Sequence, residues 1–129
     1  MNEYLRIFKA LSDSTRLRIL LLVSRKELCV CQIMAVLGIS QPLVSKDLNV
    51  LKGAGLLSSR REGKLMFYKF RPAGVRTAGF LKNVFREMQK DPGVIEDMQN
   101  MVRCEEFQKL TGRCDMESFM QFMEKRRKK

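Results

Sequence analysis

The 129 residues of this chain carry 25 lysines and arginines against 14 aspartates and glutamates, a formal net charge of +11, with four cysteines and no histidine. No apolar run approaches a membrane span and the opening Met-Asn-Glu-Tyr-Leu-Arg lacks a signal-peptide pattern, so a cytoplasmic protein with no membrane partner is expected. Four cysteines in a reducing compartment favour thiols, ligands or redox sensors over a disulfide framework, and nucleophilic enzyme chemistry would lack a histidine base.

Tyr4, Leu5, Phe8 and Leu11 read as one side of a short amphipathic helix, available for core packing or for a subunit contact. Ser12, Asp13 and Ser14 supply N-cap chemistry, and Leu17, Leu20 and Leu21 start a second helix ending near Ser24. Arg16 and Arg18 point away from that stripe. A solvated face is their expected role, with phosphate contact as the alternative.

Val30, Ile33, Met34 and Leu37 recur at helical spacing, and Gly38 ends the pattern with the left-handed conformation that a helix C-terminus favours. Ser40 is positioned to cap the next helix with its hydroxyl, and Pro42 is tolerated in a first turn. Two helices joined this tightly form a helix-turn-helix. In the second, Val44, Leu48 and Leu51 share one face, and Gln41, Ser45, Asn49 and Lys52 lie on another. Amides and hydroxyls can meet base edges and lysine can meet phosphate, so Ser40, Gln41, Ser45, Lys46, Asn49 and Lys52 are the expected DNA contacts. The competing reading is a plain solvated face.

Gly53 and Gly55 mark the end of that helix, and the period changes. Leu56 to Arg61 and Lys64 to Phe70 read as two strands joined at Glu62-Gly63, with Arg60, Arg61 and Lys64 crowding the tip. A helix-turn-helix followed by a basic hairpin is a winged helix, its tip placed for phosphate or minor groove. Lysine and arginine on an edge strand can also serve only to discourage aggregation. Charge follows the same division: residues 40–76 carry +6, whereas residues 77–124 carry −3. The excess therefore sits where duplex DNA would be read.

Val75, Phe80, Leu81, Val84, Phe85 and Met88 make a further helix up to Asp91-Pro92. Val94, Ile95, Met98, Met101 and Val102 continue helically to Phe107 and Leu110, where Thr111-Gly112 breaks the pattern, and Phe119, Phe122 and Met123 follow. The expected fold is mainly α with a small β-hairpin, a winged helix-turn-helix in a homodimer that covers the extra apolar surface. Its divisions are residues 1–90 for the DNA-binding domain with dimerisation helices, 91–124 for a C-terminal helical extension and 125–129 for a basic tail.

Glu27-Leu28-Cys29-Val30-Cys31, Ser40-Gln41-Pro42-Leu43-Val44-Ser45, Leu51-Lys52-Gly53-Ala54-Gly55-Leu56 and Arg61-Glu62-Gly63-Lys64 together resemble the ArsR/SmtB family of bacterial metal-responsive repressors. The resemblance runs from about Phe8 to Pro72. It implies a homodimeric winged helix that binds double-stranded operator DNA and releases it when a thiophilic ion binds. In that family Cys-Val-Cys is typical of arsenite and cadmium/lead sensors. The arsenite sensors usually carry a third cysteine three residues after the pair, and here that position is Met34.

Sulfur donors suit soft ions, and the absence of histidine excludes the histidine-rich zinc and nickel sites of the family. The candidate ligands are Cys29 and Cys31, with Cys104 or Cys114 of either subunit supplying a third thiolate; taken singly, Cys104 or Cys114 reads first as a small buried apolar residue. A trivalent monoalkyl arsenic would need only the pair. Residues two apart in an ideal helix diverge by about 160°, so chelation by Cys29 and Cys31 is expected to unwind the first turn of the helix. The expected function is repression relieved by trivalent arsenic, As(III), as effector, with no organic cofactor and no enzymatic activity. A cadmium/lead repressor, a thiol-based redox or sulfide sensor and a constitutive architectural DNA-binding protein are the alternatives.

Overall fold

The structure is a computed structural model that describes residues 1–72 and 74–111; Cys114, Phe119, Phe122, Met123 and the basic tail lie outside the described residues. In chain order the elements are α1 (Asn2–Leu11), α2 (Ser14–Arg25), β1 (Leu28–Cys29), α3 (Val30–Leu37), α4 (Gln41–Gly53), β2 (Leu57–Glu62), β3 (Leu65–Phe70), α5 (Val75–Met88) and α6 (Pro92–Thr111).

Local chemistry sets most boundaries. Asp13 caps α2, its carboxylate accepting the Arg16 N–H at 3.0 Å. Gly38 closes α3 at φ 68°, ψ 34°, donating its N–H to the Met34 carbonyl at 2.8 Å. Ser40 holds the N-cap position of α4 with extended backbone, but its hydroxyl makes no capping bond, contrary to expectation. That start rests on Pro42 in the first turn instead. At the other end the Leu56 N–H reaches the Leu51 carbonyl and the Gly55 N–H reaches Lys52, with Gly55 at φ 78°. This Schellman ending turns the chain from the helix into the hairpin.

The hairpin runs in register from Leu57 opposite Phe70 to Glu62 opposite Leu65, so Gly63-Lys64 form its turn, one residue later than expected. A third strand, β1, was not expected. It pairs antiparallel with β3, Leu28 opposite Tyr68 and Cys29 opposite Phe67, giving the sheet order β1-β3-β2.

Ile19, Leu20, Leu22, Ile33, Val44, Leu48, Leu51, Leu56 and Leu81 are wholly buried in the core, which joins α2, α3, α4, α5 and the root of the hairpin. Val94, Cys104 and Phe107 of α6 belong to the same core. The helix therefore closes the winged helix over α2 and α3. The α1 stripe behaves differently: Tyr4, Leu5 and Phe8 are 61%, 49% and 57% exposed, so within one chain the core-packing reading fails for them. Val75 and Phe80 of α5 are also exposed, and the Phe80 ring meets Phe8 edge to face at 6.4 Å.

Candidate DNA-reading face and thiol site

Burial divides α4 as its sequence periodicity requires. Val44, Leu48 and Leu51 lie in the core, while Gln41, Lys46, Asn49 and Lys52 are exposed and Ser45 is half-buried. Ser40 is exposed at the start of the helix. The polar side chains thus share a solvent-facing surface whose other face is fixed. Lys52 is not a loose cation, since its Nζ donates to Ser59 Oγ at 2.7 Å and ties the helix to β2.

The wing's three basic residues are not equivalent. Arg61 and Lys64 are exposed at the tip, but the Arg60 guanidinium holds Glu27 at 2.6 Å and Glu62 at 2.9 Å, and stacks 4.8 Å from the Phe67 ring centre. The hydrogen bond from Arg60 keeps the Glu27 carboxyl below its usual range. Arg60 therefore links the wing to the residue just before Leu28-Cys29.

Asp47 and both α2 arginines take roles that differ from those expected of the sequence. Asp47 is 2% exposed on the inner side of α4 and faces Arg16 Nη1 at 3.4 Å. Arg16 also donates Nε to the Ala10 carbonyl at 2.7 Å and Nη2 to the Lys9 carbonyl at 3.2 Å. Arg18 grips Asp97 of α6 through two hydrogen bonds, both 2.7 Å, a pairing that raises the guanidinium pKa. Neither side chain is a solvated face. The one available signal was an aspartate at helical spacing among the apolar residues of α4.

Cys29 is buried at the N-cap of α3 and Cys31 is half-buried in its first turn. Because Cys29 has extended backbone, φ −89° and ψ 168°, and belongs to β1, the ideal-helix divergence of the pair does not apply. Chelation has no complete helical turn to unwind. What holds Cys29 is a reciprocal cap: its sulfur accepts the Gln32 N–H, and its own N–H donates to Gln32 Oε1 at 2.9 Å. Gln32 passes this linkage on, donating Nε2 to Gln108 Oε1 of α6 at 3.0 Å.

Cys104 is 5% exposed on the α6 side facing α3. Burial is the main cause that pushes its thiol up to about 11, and the neighbouring Cys29 adds to the shift. Among the described residues, no three His, Cys, Asp or Glu side chains stand close enough together to hold a metal ion.

A helix pair joined at Gly38, a polar outer face on the second helix and a basic-tipped hairpin define a winged helix-turn-helix DNA-binding protein. Residues 13–59 match the family described as "Bacterial regulatory protein, arsR family". The solution structure of the homodimeric winged helix-turn-helix domain Mb0332 from Mycobacterium bovis, a possible ArsR-family transcriptional regulator, superposes with a TM-score of 0.60 at 31% identity, covering 70% of this chain and 82% of that one. The chain belongs to the ArsR family, whose members are DNA-binding transcriptional regulators and not enzymes.

Arsenic resistance transcriptional regulator ArsR1 of Pseudomonas putida is 45% identical over 67 residues, 51% of this chain and 52% of that protein. A CadC homolog of Staphylococcus aureus, a cadmium resistance transcriptional regulatory protein, is 42% identical over 64 residues, 49% of this chain and 53% of that protein. The chain thus spans about half the length of these curated relatives. Both arsenic and cadmium regulators of the family are among its relatives. In the described residues no helix is long and apolar enough to cross a membrane.

Proposed function

We propose that the chain is a homodimeric cytoplasmic repressor that holds operator DNA through Ser40, Gln41, Ser45, Lys46, Asn49, Lys52 and the wing, and releases it when thiols including Cys29 and Cys31 bind trivalent arsenic. The observation that carries the reading is the position of Cys29. It caps α3, which leads through the Gly38 turn into α4, and it pairs in the sheet with β3 of the wing. Both DNA-reading elements are therefore mechanically joined to one sulfur ligand.

Soft sulfur donors fit a thiophilic ion. To join Cys31 on one centre, Cys29 gives up the Gln32 N–H, so α3 loses the sulfur half of its capping box. Ligand binding shifts the repressor only through its differential affinity for the free and DNA-bound forms, so the ion must bind the DNA-free form more tightly. The exposed Tyr4, Leu5, Phe8 and Phe80 support a dimer in which a second copy covers them. The residue division carries over with one addition: the 91–124 extension acts on the DNA-binding domain through α6.

Fluorescence anisotropy of a labelled palindromic promoter fragment tests the proposal. The reduced protein is titrated first, then arsenite, methylarsenite, cadmium, lead and hydrogen peroxide are added separately. Release by trivalent arsenicals, abolished in Cys29→Ser, is the expected result. Release by cadmium alone favours the second reading, a cadmium sensor, supported by the staphylococcal relative. Release by peroxide alone indicates a redox sensor, and release by none of them an architectural protein.

A further inference from the structure

We propose that the third thiolate of the arsenic site is Cys104 of the same chain, so that α6 is drawn onto the start of α3 when the site closes. The inference rests on the arsenic reading above and specifies how this protein completes a site that lacks a cysteine at Met34.

Two side chains of α6, each four residues from Cys104, are bonded to α3 of the same chain. Asn100 donates to the Val36 carbonyl at 3.3 Å, and Gln108 accepts from Gln32 at 3.0 Å. Residues four apart lie on one helix face, about 6 Å along the axis from one another. Cys104 is therefore bracketed on the surface packed against α3, and its burial agrees. Gln32 is both the residue that caps Cys29 and the one that meets α6, so Cys104 lies on the α6 face opposite the capped sulfur; in this structure the three thiols do not stand close enough together to hold an ion, and α6 has to move in for the site to close. Lys26 fastens the same stretch from the other side, its Nζ 3.3 Å from Glu105.

Chemistry then distinguishes two ligands. Arsenite has three exchangeable hydroxyls. Each thiol replaces one, its proton leaving with the hydroxide as water, so three As–S bonds form, three waters are released and arsenic remains trivalent. Methylarsenite has two exchangeable positions and is satisfied by Cys29 and Cys31. Either site requires the half-buried Cys31 as its second ligand. With arsenite, closure also pulls on α6, which Arg18 and Asp97 anchor to α2.

The full chain, reduced and bound to promoter DNA, is compared with Cys104→Ser, Cys104→Ala and Cys114→Ser variants. Retained DNA binding without arsenic is the folding control, and alanine covers the case in which serine is too polar for the buried position. X-ray absorption at the arsenic edge should count three sulfurs in wild type and Cys114→Ser with arsenite, and two in either Cys104 variant. Cys104→Ala should raise the arsenite concentration for half-release by at least the roughly tenfold that losing even an outer partner of a metal ligand costs. Its methylarsenite response should stay near wild type.

A mixed dimer of one Cys104→Ser protomer and one Cys29→Ser/Cys31→Ser protomer should contain no three-sulfur site. Such a site in the mixed dimer overturns the same-chain assignment. Three sulfurs retained in the Cys104 variants, or two in wild type, overturn Cys104 as ligand. Wild type that binds DNA but acquires no arsenic–sulfur shell overturns the arsenic reading itself and, with it, this inference.

Discussion

Arg16 and Asp47 join the apolar-faced helix α1 to the DNA-reading helix α4. Arg16 collects the Lys9 and Ala10 carbonyls at the C-terminus of α1 and extends its remaining nitrogen to Asp47, buried on α4. Arginine suits this junction because its planar fork serves several acceptors at once. Among the described residues Asp47 Oδ2 has no hydrogen-bond partner, so Arg16 supplies the charge compensation for that carboxylate.

Arg16→Ala leaves a buried carboxylate unpaired, a change that typically costs about 3–5 kcal/mol. Urea unfolding should show a decrease near the lower end, because the Arg16 side chain is partly exposed. Asp47→Asn keeps the shape of the side chain and leaves the carbonyl bonds of Arg16 intact, so its effect should be smaller, about 2 kcal/mol or less. A larger decrease in Asp47→Asn than in Arg16→Ala would refute this account of the junction.

This junction also shows how far the sequence could be read. The helix-turn-helix was legible because its signals are local: an apolar stripe, Gly38, Pro42 and a second apolar stripe one residue out of phase with a polar one. The partners of Arg16 and Arg18 lie 31 and 79 residues away, and only the folded chain brings them together. Strand β1 escaped notice because two residues cannot display alternation, yet it decides that Cys29 is extended and not helical. In α1, helical spacing revealed an apolar face but not that one chain leaves Phe8 outside its own core.

The ion pairs of Arg60 separate it from its neighbours on the wing. A cation already held by Glu27 and Glu62 contributes less to phosphate neutralisation than Arg61 or Lys64, which stand exposed at the tip. Each phosphate that a substitution leaves unneutralised should lower the dependence of log K on log salt by about 0.9. Arg61→Ala and Lys64→Ala should approach that change, and Arg60→Ala should fall well short of it. Glu27→Gln should move Arg60 toward the behaviour of Arg61 in the same salt titration.

Asp97 is 4% exposed, and both its oxygens are held by Arg18, so this pair is the chief polar anchor of α6 on α2. Asp97→Asn removes the charge partner of Arg18 and should destabilise the protein by about 3 kcal/mol, the lower part of the range for breaking a buried pair. Amide hydrogen exchange should show weakened protection first in α6, with α4 still protected. If protection fell equally in both helices, α6 would be inseparable from the core, and its separate movement onto α3 would have no physical basis.

The buried Cys104 thiol gives stability a pH dependence of known sign. Burial raises its pKa from 9.0 to about 11, so above pH 9 the unfolded chain ionises this thiol while the folded chain keeps it protonated. The unfolded state then binds fewer protons, and stability falls as pH rises. The contribution is complete below pH 9 and disappears progressively up to pH 11. Cys104→Ala removes the titrating group, so over that interval its urea midpoint should fall less steeply than that of wild type. Parallel slopes would mean that Cys104 is hydrated in solution, and the packing of α6 against the start of α3 would have to be looser than the structure describes.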